Sequence, residues 1–228
     1  MKGIIALALF RVKFLETIAV EILKFFNSLV GNYGVAIILT TLLIKLILFP
    51  LSLKQEKSMQ KMKELQPEIE AIQKKYKDDK AKLNEETAKL YKEKNVNPFS
   101  GCLPLIIQLP IFVALYYAFM SNEIPQTATF LWFNLKKPDA IYTIGKFSLN
   151  ILPIISALLM IIQQKLMTPQ SGEGENSVMQ STMLLMPVMM LFIFYKFPSG
   201  LNLYYVVNTA ISILIQIYVV KKARKWTR

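Results

Sequence analysis

Histidine is absent from this 228-residue sequence, and cysteine occurs only once, at Cys102. Without histidine the chain lacks the commonest general base and the commonest metal ligand, which excludes a His-based catalytic triad and a Cys/His zinc site. A single cysteine excludes an internal disulfide. The sequence also has no phosphate-binding loop. It therefore predicts neither an enzyme nor a bound cofactor or metal.

Charge is scarce as well: charged residues make up 18% of the chain and hydrophobic residues 54%. Long stretches carry almost none, and a helix of about 20 apolar residues is about 30 Å long, which matches the hydrocarbon core of a bilayer. The pattern predicts an all-α integral membrane protein with five transmembrane helices. The predicted spans are 34–53, 103–120, 151–167, 178–194 and 201–220.

The net charge of +12 is distributed unevenly around these spans. Lysines concentrate in 54–97 and cations recur in the tail 221–228, whereas the loop 121–150 holds few. The positive-inside rule then places 54–97, the loop 168–177 and the C-terminus in the cytoplasm, and the N-terminus and 121–150 outside. Because the cations flank apolar runs, we expect them to fix orientation in the lipid bilayer and expect no direct nucleic-acid role.

Two polar or amphipathic regions flank the first span. In the N-terminal segment 1–33, which we expect to be retained, residues 11–30 are apolar on one face, which predicts an interfacial amphipathic helix; a packed linker helix is the alternative. In 54–97 apolar residues recur at spacings of three and four, which predicts a cytoplasmic coiled-coil hairpin. Pro67 is expected to interrupt its first arm, which should kink or restart near Gln66. The hairpin is either a solvated structural element or a docking arm for a cytoplasmic partner.

Lys45 stands alone inside the first predicted span. It lies about eight residues, or about 12 Å, from the cytoplasmic end, too far for its stem to carry the ammonium fully out of the membrane. A charge held in lipid costs at least about 2.5 kcal/mol on insertion scales. We therefore expect Lys45 to face a wet cavity, with Thr41 one turn earlier on the same face. No carboxylate occurs within any predicted span, so we expect no intramembrane ion-pair partner for Lys45.

The other predicted spans supply uncharged polar side chains, and in the fifth span these recur on one side of the helix. Such residues commonly form hydrogen bonds between membrane helices. Taken with Lys45, they predict a shared hydrophilic cavity. The predicted cavity residues are Lys45, Thr41, Gln108, Gln163, Gln164, Tyr205, Asn208 and Ser212.

Five sequence motifs, in order along the chain, carry a family resemblance. They are YGVAII at 33–38 running to LFPL at 48–51, ELQPEI at 64–69, VNP at 96–98 with GCLP at 101–104, QLPIF at 108–112, and FPSGLNLYY at 197–205. With these motifs the chain resembles the YidC/Oxa/Alb family of membrane protein insertases, in the short form typical of single-membrane bacteria.

This resemblance implies a multi-pass protein of the bacterial cell membrane, with a hydrophilic groove open to the cytoplasm and to lipid and closed toward the outside. The groove would receive hydrophilic parts of nascent membrane proteins and release their apolar segments into the bilayer, alone or with the Sec translocon. The ribosome and the targeting machinery are further implied partners. Lys45, Thr41, Tyr205 and either Gln163 or Gln164 match groove positions of the family. Most members carry arginine in place of Lys45, and tryptophan is frequent in place of Tyr205.

Two other functions would use the same features. A small-solute transporter could use the cavity, although such proteins usually show inverted repeats or paired broken helices. A passive scaffold could recruit cytoplasmic partners through the hairpin. Insertion of a short passenger into liposomes would separate the insertase from both alternatives.

Overall fold

The architecture is that of a helical bundle with a long two-helix arm and a small β-structured loop. The computed structural model describes residues 2–97, 103–144, 147–167 and 178–226. Within these ranges it contains α1 (Lys2–Val30), α2 (Tyr33–Lys75), α3 (Lys80–Glu93), α4 (Leu103–Met120), β1 (Thr129–Phe130), β2 (Phe133–Asn134), β3 (Ala140–Ile144), β4 (Phe147–Asn150), α5 (Ile151–Met167), α6 (Val178–Phe194) and α7 (Ser199–Trp226).

The corner between α1 and α2 follows from two residues suited to helix ends. Gly31 adopts a left-handed φ of +67°, which glycine takes without a steric penalty, and its N–H donates to the Asn27 carbonyl at 2.8 Å. The Asn32 side chain then accepts from the N–H groups of Gly34 and Val35 and starts α2. One helix therefore stops and the next begins within three residues.

α2 is a single helix of 43 residues, about 65 Å long. The predicted division between a span ending at 53 and a hairpin starting at 54 falls inside this unbroken helix. The restart predicted near Gln66 is wrong, because α2 continues through both Pro50 and Pro67. Each proline removes one backbone hydrogen bond, yet the tertiary packing on both sides keeps the helical path.

The far half of α2 pairs with α3 to form the arm. α2 ends at Lys75, and Asp79 starts α3 by accepting from the N–H of Lys82. The pair is held by a small apolar core and by an ion pair between Lys94 and Glu68, whose Nζ and Oε1 lie 3.0 Å apart. The buried residues of this core are Leu65, Ile69, Leu90 and Val96.

Two helical segments are long and apolar enough to cross a membrane by length and composition, Tyr33–Lys75 and Ser199–Lys221. Shorter apolar helices occupy Ile106–Met120, Ile151–Leu166 and Leu185–Phe194. The bounds of α4, α5 and α6 coincide with the second to fourth predicted spans, whereas α7 is longer than the predicted 201–220. The predicted loop 168–177 lies outside the described residues.

The predicted outer loop, 121–150, has secondary structure of its own. β1 pairs with β2 and β3 pairs with β4, both antiparallel, with a register irregularity between Ala140 and Tyr142. Buried Asp139 then starts the following helix, because its Oδ2 accepts from the N–H groups of Ile151 and Leu152 at 2.8 Å each. A carboxylate at this place satisfies two N–H groups that the first turn of α5 leaves without helical partners.

The same loop closes one end of the bundle. The N–H of Ser199 donates to the Lys137 carbonyl at 2.8 Å, and the N–H of Gly200 donates to the Leu135 carbonyl at 2.9 Å. The Ser199 hydroxyl donates to the Asn134 carbonyl at 2.6 Å. The first turn of α7 is therefore hydrogen-bonded to the loop backbone.

The main apolar core lies at this closed end. It joins α1, α2, α4, α7 and the loop, and includes Leu23, Ile37, Phe119, Leu135 and Tyr204. Phe130 of the loop lies so close to Gly34 that a Cβ at Gly34 would be 2.1 Å from the ring.

At the surface Lys24 of α1 forms an ion pair with Glu123, and this contact lowers the pKa of the Glu123 carboxyl.

Candidate functional site

A cavity of about 460 Å³ lies between α2, α4, α5, α6 and α7. It begins at Ile44, just past the stretch of α2 that is buried in the closed end, and it extends to Met59 at the base of the arm. Its side chains come from five helices that are far apart in sequence. Its polar or charged lining residues include Lys45, Ser52, Gln55, Glu56, Gln108, Gln163, Gln164, Tyr205, Asn208, Thr209 and Ser212.

Seven of the eight predicted cavity residues line this one space. The exception is Thr41, which has 0% of its surface exposed and is absent from the lining. Its hydroxyl donates to the Ile37 carbonyl of its own helix at 2.7 Å. Thr41 therefore lies one turn inside the packed, closed end, and Lys45 is at the boundary where the cavity starts.

Lys45 is held across the bundle by α7. Its Nζ donates to the Ser212 hydroxyl oxygen at 2.6 Å, and that hydroxyl donates its own proton to the Asn208 carbonyl at 2.9 Å. Serine can accept one hydrogen bond while donating another, so the chain of two bonds is chemically complete. The ammonium is partly buried and retains donors that can point into the cavity.

The other polar residues anchor helices and shape the wall. The Gln108 amide donates to the Tyr204 hydroxyl at 2.9 Å and so connects α4 with α7. The Tyr205 ring packs edge-on against Phe194, with ring centroids 4.6 Å apart, and its hydroxyl lies 4.0 Å from the Met160 sulfur. This aromatic and thioether surface gives the cavity an apolar side facing its polar side.

Four methionines, Met179, Met183, Met186 and Met190, recur at spacings of three and four along α6. Such a pattern is typical either of ordinary helix packing or of contact with varied apolar surfaces. Met186 and Met190 line the cavity, together with Met59 and Met160 from other helices. The side chains of Met179 and Met183 lie outside the described residues. Flexible thioethers can repack around differently shaped apolar groups, so four of them make this wall adaptable.

Glu56 is the main residue that sequence reasoning missed. It lines the cavity that holds Lys45, and the charges of the two residues interact. The absence of any carboxylate from the predicted spans is correct as a statement about sequence, yet the cavity extends past the end of the first span. The signal was the spacing: Ser52, Glu56 and Met59 follow Lys45 by 7, 11 and 14 residues, which keeps all four on one side of a continuous helix.

Comparison with known proteins agrees with this architecture. The model of the family described as 60Kd inner membrane protein matches residues 25–225. A membrane protein insertase YidC of Fusobacterium nucleatum is 44% identical over 196 residues, which cover 86% of this chain and 90% of that protein. The membrane protein insertase YidC of Syntrophus aciditrophicus is 45% identical over 203 residues, covering 88% of this chain but only 35% of that longer protein.

A solved structure is similar in fold. The crystal structure described as an active YidC insertase with its first transmembrane domain resolved matches with a TM-score of 0.69 at 34% identity, covering 89% of this chain and 45% of that one. The chain thus spans less than half the length of several of its relatives and nearly all of one. The family consists of insertases that catalyse no covalent reaction, and its members are inner-membrane proteins. By sequence and by fold, this chain belongs to the 60Kd inner membrane protein family of YidC-type membrane protein insertases.

Proposed function

We propose that this chain is a membrane protein insertase and chaperone whose cavity is the groove that receives hydrophilic parts of nascent membrane proteins. One observation carries the proposal: a cavity of about 460 Å³ in which seven predicted polar residues, Lys45 among them, come together from four helices. Gln108 and Ser212 also form hydrogen bonds between helices, but the remaining polar groups around an open space of this size can be solvated or can contact an entering polar segment.

The physical task is to lower the cost of moving polar backbone and side chains through hydrocarbon. Each unsatisfied polar group in lipid costs several kcal/mol, so the barrier grows with the length of the hydrocarbon path. A polar cavity that reaches partway through the bundle shortens that path. The loop that seals α7 at Ser199 and Gly200 supports a groove closed at the outer end and open toward the arm.

The proposed topology has five membrane crossings, formed by α2, α4, α5, α6 and α7. α1, with exposed Phe14 and Phe25 on one side and buried Leu23 on another, is proposed to lie at the outer interface. The basic region 54–97 and the C-terminus are cytoplasmic, and the N-terminus is outside. The protein acts in the bacterial cell membrane.

The arm formed by α3 and the far half of α2 is proposed to meet the incoming chain together with the ribosome or the targeting machinery. It projects its lysines from a stable two-helix core, which suits transient electrostatic contacts. Work beside the Sec translocon is part of the same proposal. The transporter alternative lacks a specific observation in its favour, because α2 and α7 line the cavity as continuous helices rather than as paired half-helices.

Reconstitution tests the proposal directly. Purified protein in liposomes of phosphatidylethanolamine and phosphatidylglycerol should insert a short single-span passenger that does not require Sec, measured as a protease-protected fragment. Protein-free liposomes measure spontaneous insertion, and heat-inactivated protein controls for leakage. Equal protection with and without the active protein would refute the insertase function.

A further inference from the structure

Glu56 places an acidic side chain in the cavity at a different depth from Lys45. Burial raises the pKa of its carboxyl to about 7, and the charge of Lys45 counteracts part of that rise. Eleven residues separate the two, which is close to three full turns, so both are on the same side of α2 and about 16 Å apart along its axis. Lys45 is next to the closed end, and Glu56 is next to the arm. The cavity therefore has a basic group deep inside it and an acidic group, which a basic partner would ionise, near the end that faces the arm.

The two charges do not cancel each other by direct contact. Lys45 directs its ammonium to Ser212, and no salt bridge to Glu56 within 4 Å is found among the described residues. Glu56 also borders a smaller recess between the base of the arm, α5 and α7. In that recess Lys63 donates to the Leu166 carbonyl at 3.2 Å rather than to Glu56. The Glu56 carboxylate is thus available to a group that enters the cavity.

The order of the two charges has a counterpart in membrane proteins themselves. By the positive-inside rule, lysine and arginine flank apolar segments on the cytoplasmic side. A passenger whose outer tail carries an acidic group and whose inner flank carries a basic group would place the acid deep and the base near the mouth. That order is complementary to Lys45 and Glu56, whereas the reversed passenger would place like charges together.

We propose that Glu56 is a specificity-determining residue that binds the basic inner flank of a passenger, so that the cavity selects passengers by the order of their charges. The inference rests on the proposed insertase function and adds a second recognition point to it. An ionic contact in a hydrated cavity contributes modestly, so loss of the Glu56 charge should lower the preference for a basic flank about fivefold.

The test uses two passengers that are identical except for lysines or glutamines at the inner flank. Wild-type protein in liposomes should insert the lysine form faster, by about fivefold. Glu56→Gln should insert both at similar rates, and Glu56→Asp should keep the preference because it keeps the charge. Glu64→Gln is the matched control, since Glu64 is an exposed carboxylate on the same helix outside the cavity.

The outcomes separate the two proposals. If wild-type protein inserts neither passenger, the insertase function fails. If wild-type protein inserts both but Glu56→Gln keeps the full preference, or Glu64→Gln loses it equally, the role of Glu56 fails.

Should Glu56→Gln not fold, carbodiimide coupling in the wild-type protein gives the answer with a stalled lysine-flanked passenger. An amide between Glu56 and a flank lysine, found by mass spectrometry, is the expected product. Coupling of that lysine only to carboxylates outside the cavity would overturn the inference.

Discussion

At the scale of single residues, the position of Lys45 is set by α7 as much as by its own helix. The hydrogen bond to Ser212 holds the ammonium against one wall, and the rest of the cavity lies in front of it. A charge fixed in this way can attract an acidic group without first losing conformational freedom. The residue therefore links two helices and, under the proposed function, would also provide an electrostatic contact for a passenger.

Replacement of Lys45 by alanine should impair passengers with acidic outer tails more than passengers with neutral tails. An ion pair in a hydrated site contributes about 1 kcal/mol, which corresponds to about a fivefold difference in insertion between the two passengers. Lys45→Arg keeps the charge and should keep the difference. Lys54→Ala is the control, because Lys54 is exposed on the same helix and does not line the cavity. Equal insertion of both passengers by wild-type protein and Lys45→Ala would remove the attraction from the mechanism.

Lys45 and most of its polar neighbours could be predicted because each is costly in an apolar helix and must find a wet or hydrogen-bonded place. Glu56 could not be found by that rule, because it lies three residues past the end of the apolar run, where a carboxylate is unremarkable. Thr41 shares the helical face of Lys45, yet its depth differs by one turn, and periodicity carries no information about where a cavity ends.

At the scale of elements, the loop 121–150 determines how one end of the bundle is closed. It supplies backbone acceptors to α7, the carboxylate that starts α5, and the phenyl ring that packs on α2. Sequence periodicity predicted the apolar helices well, since their pattern is strong and long. It could not predict this loop, because the short strands and the carboxylate cap depend on partners far away in the chain.

Asp139→Ala should destabilise the protein by about 1–2 kcal/mol, because two N–H groups in the first turn of α5 lose their acceptor. Asp139→Asn keeps an oxygen acceptor and should cost less. Thermal unfolding of the detergent-solubilised protein, followed by circular dichroism, provides the comparison. Identical midpoints for the alanine variant and the wild type would mean that this cap does not contribute to stability.

Gly34→Ala should destabilise the protein by about 1–3 kcal/mol, since a Cβ at this position would overlap the base of the Phe130 side chain. The backbone cannot easily move away, because Asn32 fixes the start of α2 immediately before it. In a Phe130→Ala background the same substitution should cost little, which a double-mutant cycle measures. Additive effects in that cycle would show that the two residues do not clash.

Deletion of residues 60–92 should spare the folded bundle but weaken capture of nascent chains. The arm has its own apolar core of Leu65, Ile69, Leu90 and Val96, and this core is separate from the main one. Its removal also breaks the contact from Lys63 to the end of α5, so a small loss of thermal stability is expected. Crosslinking to a stalled nascent chain measures capture; unchanged crosslinking after deletion would show that the arm is not needed for it.

At the scale of the whole molecule, the proposed orientation follows from the distribution of lysines along the sequence. It can be tested with cysteine labelling, because Cys102 is the only native cysteine. In a Cys102→Ser background, Asp78→Cys at the tip of the arm should react with a membrane-impermeant maleimide only after cell lysis. Trp132→Cys, at an exposed residue of the outer loop, should react in intact cells. The reverse pattern would invert the topology.

The continuity of α2 has a mechanical consequence. The helix α2 carries the tip of the arm at one end and, farther along, the cavity wall that contains Lys45 and Glu56. Within α2, Pro50 and Pro67 each remove one backbone hydrogen bond from the helix. Because the arm and the cavity wall belong to one helix, a displacement of the arm would be passed along α2 toward Lys45 and Glu56, and the packing of α2 against α7 would oppose it.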